Sequence, residues 1–181
     1  MIMHTSDLEK YCKKAIQAGY THAQIISPSS VVTAPWVRFK CLYGCPFKER
    51  YSCPPHTPTP AETRTTLDSY SRAILFHVEA PYSKERGKNM AAYLEMLVKL
   101  EEELFKEGYY KAFVMLAGPC ILCKECGKAE GIPCRFPAKT RPSMESCGID
   151  VFQTVRNNGF FISTLKEKTE TQNIYCLLLV D

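Results

Sequence analysis

The sequence lacks any apolar run long enough to cross a bilayer. Ile174–Val180 is among its longest stretches, well short of the roughly 18 residues that a spanning helix needs. Its first residues, Met-Ile-Met-His-Thr-Ser-Asp, show neither the basic start nor the apolar core of a secretory signal. No Asn-x-Ser/Thr acceptor for glycosylation occurs, and together these absences point to a cytoplasmic protein with no membrane role. A Gly-rich phosphate loop is missing, and so is the Gly-x-Ser-x-Gly turn of many hydrolases. The Cys-x-x-x-Cys-x-x-Cys signature of radical enzymes is absent too, because Cys53 lies too far beyond Cys45. The net charge of +4, from 23 basic and 19 acidic residues, is too mild to argue for nucleic acid. No internal repeat and no low-complexity tract is present. Hydrophobic residues make up 45% and charged residues 23%, which excludes disorder and supports one α/β domain over residues 1–181.

Cysteine, by contrast, is abundant: ten in 181 residues. Without an export signal such cysteines stay as thiols or bind metal.

Periodicity sets out the rest of the chain. A helix capped by Thr5 or Ser6 carries Leu8, Tyr11, Cys12, Ala15 and Ile16 at helical spacing and closes at Gly19. A strand is expected at Ala23–Ile26, and a second extended segment over Val31–Lys40 ends in the alternating Trp36–Lys40. Residues 41–60 hold three cysteines and five of the twelve prolines, an irregular loop that needs a crosslink or an ion to keep one shape. A short helix near Glu62–Tyr70 and a strand at Ala73–Val78 follow. The clearest helix spans Ser83–Lys106, with Met90, Leu94, Leu97, Leu100 and Leu104 as its apolar stripe. Then come a strand at Lys111–Ala117, a second cysteine-rich loop at 118–142, and a helix over Ser143–Asn157. Two last strands are expected at Phe160–Leu165 and Asn173–Val180. Alternating helices and strands predict an α/β fold with a mostly parallel or mixed sheet. Each cysteine loop follows an expected strand, so both are predicted to emerge at one sheet edge.

The second loop reads Cys120-Ile-Leu-Cys123-Lys-Glu-Cys126, then Cys134-Arg-Phe-Pro137. Three cysteines spaced by two residues let a short coil aim three thiolates at one iron–sulfur cube, and a fourth close to a proline completes the set. Here seven residues part the third and fourth cysteines, against three in the bacterial run, which leaves room to close one cluster within the loop. A single Zn²⁺ held by four thiolates is the alternative, although zinc more often takes two separated Cys-x-x-Cys knuckles. The first loop offers Cys41, Cys45 and Cys53 only, so a fourth ligand comes from elsewhere or one iron stays open. His56 and Cys147 are candidates for that place; for Cys147 the alternative is a small core residue on its helix.

These strings also resemble a known family. Phe39-Lys-Cys-Leu-Tyr-Gly-Cys-Pro46, Cys53-Pro-Pro, Gly118-Pro-Cys-Ile-Leu-Cys-Lys-Glu-Cys126, Pro133-Cys-Arg-Phe-Pro137, Arg141-Pro-Ser-Met-Glu145 and Gly148-Ile-Asp150 are similar to those of the predicted metal-binding, cysteine-rich proteins of anaerobic bacteria and archaea. The resemblance runs from about residue 10 to the end. It implies seven metal ligands: Cys41, Cys45, Cys53, Cys120, Cys123, Cys126 and Cys134. Cys12, Cys147 and Cys176 fall outside that set.

Arg135, Lys139 and Arg141 cluster after the second loop, as a patch for an anionic substrate or an acidic redox partner, or as screening for a negative cluster. His77 is expected to be structural, and His4 and His22 carry no pattern. One or two iron–sulfur clusters, [4Fe–4S] in type, with a redox partner protein is the leading expectation. The alternatives are an enzyme with an open iron, acting on a small anionic or sulfur-containing substrate in a pocket bordered by His56 and Arg135, and a zinc-stabilised binding module.

Overall fold

The computed structural model describes residues 7–181. Helix α1 (Glu9–Gln17) buries Tyr11 and Ala15 on its apolar face and ends just before Gly19, whose φ is +100°. The caps expected at Thr5 or Ser6, and His4, lie outside the described residues. Strand β1 (His22–Ile26) follows, then α2 (Pro35–Leu42). This helix stands where the alternation of Trp36–Lys40 predicts a strand. Pro35 sits in the first turn, where its missing N–H costs nothing, and its fixed φ favours helix. Only Val37 of α2 is buried, while Trp36 and Phe39 are exposed, so the alternation never reflected a buried face.

Helix α3 (Pro60–Leu67) begins with a capping box: Glu62 N donates to Thr59 Oγ1 at 3.2 Å, and Thr59 N donates to Glu62 Oε2 at 2.7 Å. Strand β2 (Ala73–Ala80) leads to α4 (Arg86–Lys106), which buries Leu94, Leu97, Leu100 and Leu104 as the stripe predicts. After β3 (Phe113–Met115), the helix expected over Ser143–Asn157 is broken. Gly148, at φ +77°, parts a single 3-10 turn (Glu145–Cys147) from α5 (Val151–Asn157), and Asp150 caps α5 by accepting from Gln153 N. Residues 160–165 belong to none of the strands, and β4 (Gln172–Leu179) is the last element.

The four strands lie in the order β1-β2-β4-β3, and every neighbouring pair is antiparallel. The fold is α/β in content, as expected, but the sheet is antiparallel and not parallel. Alternating helices and strands suit a parallel sheet, but here helices cover both faces of an antiparallel one, so that alternation does not fix strand direction. On one face Ile74, Phe76, Val78 and Leu178 meet α1 and α4. On the other, Ala73, Leu75, Leu177 and Leu179 meet Leu67 of α3, Met144, Ile149 and Val155 of α5. Among the described residues no helix is long and apolar enough to cross a membrane.

Within the sheet, His22, His77 and Tyr175 face one another across three strands. The His77 ring stacks on Tyr175 at 4.4 Å and on His22 at 5.3 Å. His77 Nε2 meets Asn173 Oδ1 at 2.8 Å, and its Nδ1 lies 3.0 Å from Nδ1 of His22. Burial holds His77 below the usual histidine range and nearby His22 adds to this, while Asn173 and Glu79 pull the other way. Below about pH 6.5 the unfolded chain therefore takes up a proton here before the folded chain does. Stability present above that pH is expected to fall on acidification, by at most about 1.4 kcal/mol per pH unit for one proton. Thermal melts between pH 7.5 and 5.5 check this, and His77→Gln should flatten the profile; an equally steep profile in the variant assigns the effect to other groups.

Candidate metal centre

Both cysteine loops are tied to one segment, residues 142–150. On one side it continues β3: Leu116 N donates to Pro142 O at 2.8 Å, and Met144 N donates to Leu116 O at 2.9 Å. On the other it meets the chain before α2, where Ala34 N donates to Gly148 O at 2.9 Å and Asp150 N to Val32 O at 2.8 Å. The end of the first loop joins through Thr57 Oγ1, which donates to Ser146 O at 2.6 Å, and Thr63 Oγ1 of α3 donates to Cys147 O at 2.7 Å. Helix α2 packs on the Glu145–Cys147 turn. The loops therefore do not share the carboxyl edge of a parallel sheet. Only the second loop follows a strand, and the first leaves α2.

The loops nevertheless touch. Arg50 Nη1 donates to Cys123 O at 3.3 Å, and Tyr51 Oη donates to Ile132 O at 3.0 Å. Cys120, Cys123, Cys126 and Cys134 line one hollow of about 10 Å³, and Arg50, Tyr51 and Ser52 of the first loop share its wall. That volume holds about one water-sized sphere. Cys134 Sγ lies 3.1 Å from Thr140 Oγ1.

In the first loop Cys53 is buried, and Cys41 and Cys45 are half-buried. Burial pushes the Cys41 thiol up, and Cys45, Cys53 and Glu145 add to this while Arg38 opposes it. Burial also pushes Cys53 up, with Cys45 and Cys120 adding, so Cys53 feels both loops. Burial raises Cys120 as well. Thiols held protonated in this way release protons when a metal takes them.

The other expected site residues fall in separate places. His56 is exposed, with its ring 5.9 Å from that of Tyr51. Arg135 lines the small hollow, pairs with Glu130 at 2.5 Å and donates to Glu125 O at 3.1 Å. Lys139 pairs with Glu95 at 3.3 Å. Arg141 holds Glu101 of α4 at 2.6 Å, and Glu101 Oε2 accepts from Val114 N at 2.6 Å. All three cations thus have acidic partners, and Arg141 anchors the end of the second loop to the core. Cys147 is fully buried beside Met144 and Ile149, and burial pushes its thiol up to about 11.

A cavity of about 800 Å³ opens beside Cys41, walled by α2, Gly118, Pro119, Ile121, Glu145 and β4. Neither His56 nor Arg135 lines it, so the pocket lies elsewhere than the sequence suggests. Glu145, which ends the Arg141–Glu145 string, stands in this wall without any motif of its own to mark it. Its Oε2 is closed to solvent and has no hydrogen-bond partner. Burial pushes its carboxyl up, against hydrogen bonds from its own amide, Ser143 and Gly118. A carboxylate in a stretch that otherwise packs into the core was the available signal.

Among the described residues no three His, Cys, Asp or Glu side chains already form a group that would hold a metal ion. The donor chemistry still fits one: Cys120, Cys123, Cys126 and Cys134 line a single hollow, and thiols are metal donors once they lose their protons. No curated protein and no solved structure matches the chain. The model of one protein family does match, over residues 24–180, a span that takes in both cysteine loops. The chain belongs to the family described as "Predicted metal-binding protein (DUF2284)".

Proposed function

We propose that this protein binds iron–sulfur clusters, [4Fe–4S] in type, and passes electrons to or from a partner in the cytoplasm of an anaerobe. The observation that carries this reading is the convergence of Cys120, Cys123, Cys126 and Cys134 on one hollow. Their overlapping spacing is the ligand grammar of ferredoxins. Cys41, Cys45 and Cys53 would hold a second centre, coupled to the first through Cys53. A cluster bound there supplies one-electron chemistry. The chain's own part is to exclude water, to set the local charge through Arg50 and Arg135, and to hold the loops together through residues 142–150.

Protein made and handled without oxygen is expected to be brown and to carry iron with acid-labile sulfide, about four of each per complete centre. Metal and sulfide analysis decides the matter, and stoichiometric zinc with no sulfide overturns the proposal.

A second reading, an enzyme with an open iron on the first loop, is favoured by the 800 Å³ cavity beside Cys41. Cyanide added to the reduced protein changes the optical spectrum under the enzyme reading and leaves it unchanged under the carrier reading.

A further inference from the structure

Arg50 stands where the two cysteine loops meet. It lies three residues before Cys53, and Cys53 N donates to its carbonyl at 3.1 Å, so the turn that places one also places the other. From the first loop its Nη1 reaches across and donates to Cys123 O at 3.3 Å. Arg50 is half-buried, with its guanidinium 5.5 Å from the centre of the Phe47 ring, and it walls the hollow that Cys120, Cys123, Cys126 and Cys134 line. Its charge has no acid to meet. Arg135, which lines the same hollow, pairs with Glu130, and Lys139 and Arg141 pair with Glu95 and Glu101. Among the described residues no carboxylate pairs with Arg50. A cation drawn partly out of water without an acid beside it keeps its field for whatever anion comes next to it. Burial raises the Cys53 and Cys120 thiols, and at each of them Arg50 is the cation that opposes the rise, so its field reaches a cysteine of either loop.

We propose that Arg50 is the counter-ion that both centres share, and that its charge holds the reduction potential of each above what the thiolates alone would set. The assignment rests on the iron–sulfur reading given above. Cluster potentials follow net charge, hydrogen bonding and solvent exposure. The electron that a centre accepts from its partner adds one negative charge near Arg50, so the cation favours the reduced form over the oxidised one. Because one side chain touches both loops, removing its charge lowers both potentials together.

The test is a redox titration of the full chain made without oxygen, followed by electron paramagnetic resonance and optical spectra. Arg50→Gln keeps a donor for Cys123 O but not the charge, whereas Arg50→Lys keeps the charge but not the planar fork. Arg50→Gln is expected to shift the reduction equilibrium of both centres about tenfold toward the oxidised form, which is about 59 mV for one electron. Arg50→Lys should stay within threefold of the unaltered protein, and so should Arg135→Gln, whose charge Glu130 already meets. Unmoved potentials in Arg50→Gln, a fall at one centre only, a chain that holds a single centre, or an equal fall in Arg50→Lys or Arg135→Gln overturns the proposal. If Arg50→Gln does not take up its iron, Phe47→Glu decides it. That exposed position beside the guanidinium supplies the missing acid without removing Arg50, and both potentials should fall at least threefold. Iron and sulfide per chain separate this role from the reading beneath it. Zinc without sulfide overturns both, whereas sulfide with unmoved potentials overturns the role of Arg50 alone.

Discussion

Cys123→Ser is expected to lose the second-loop centre and to open residues 118–142 to protease, while α4 keeps its protection. The reason lies in where the apolar contacts are. Helix α4 sets Leu97, Leu100 and Leu104 into the core at 2% exposure or less. The second loop does the opposite with its own apolar residues: Ile121 is 47%, Ile132 40% and Phe136 43% exposed. Such a loop gains little from burial, at about 25 cal/mol per Å², and must find its ordering energy elsewhere. A few hydrogen bonds and the Arg141–Glu101 pair fasten its ends. Structural metal sites contribute on the order of 10 kcal/mol, enough to decide whether such a loop is ordered. Serine keeps the size of the side chain but not the thiolate. Iron and sulfide per chain, with limited proteolysis read by mass spectrometry, check the outcome. A variant with full metal content and full resistance would remove Cys123 from the ligands.

Gly148→Ala is expected to destabilise the whole protein by about 2–4 kcal/mol and to lower metal content at both loops. Gly148 adopts φ +77°, a conformation that costs other residues free energy. A Cβ there would also lie 2.4 Å from Cγ and 2.9 Å from Cβ of Pro60, and 3.1 Å from its Cα. Pro60 is the first residue of α3 and cannot swing aside as a long side chain would. Relieving the clash means parting α3 from residues 142–150, the segment that ties both loops to the sheet. For a chain of this size the loss corresponds to a melting temperature lower by about 5–15 °C. Gly159→Ala is the control: its φ is +80° but nothing lies within 4 Å of the added Cβ, so only the backbone cost of about 1 kcal/mol applies. Equal melts for the two variants would show that the contact with Pro60 is not what makes Gly148 necessary.

Much of this architecture was legible in local pattern. The stripe of α4, the apolar runs of β2 and β4 and the close of α1 at Gly19 follow from spacing, because a residue's burial repeats with the period of its own element. Cysteine spacing is local too: Cys120, Cys123, Cys126 and Cys134 lie within fifteen residues, and a single loop gathers them round one hollow. Boundaries set by a backbone turn were harder. The break at Gly148 lies inside a stretch whose apolar spacing continues across it, so periodicity alone reads one helix.

The sequence by itself determined where the cysteines cluster, in two loops, and most of the elements, since each depends on residues close together in the chain. Only the tertiary structure decided how those elements are assembled. Periodicity tells which side of a strand is buried but not which way its neighbour runs, so the antiparallel order β1-β2-β4-β3 was out of its reach. The helix at Pro35–Leu42 was settled by packing on the Glu145–Cys147 turn, where Val37 turns inward. The meeting of the loops at residues 142–150, and the cavity that brings Trp36, Leu94, Glu145 and Ile174 together, join residues far apart in the chain, such as Thr57 with Ser146 and Trp36 with Ile174. No local pattern records such contacts, because they exist only once the sheet and its two helical layers have closed.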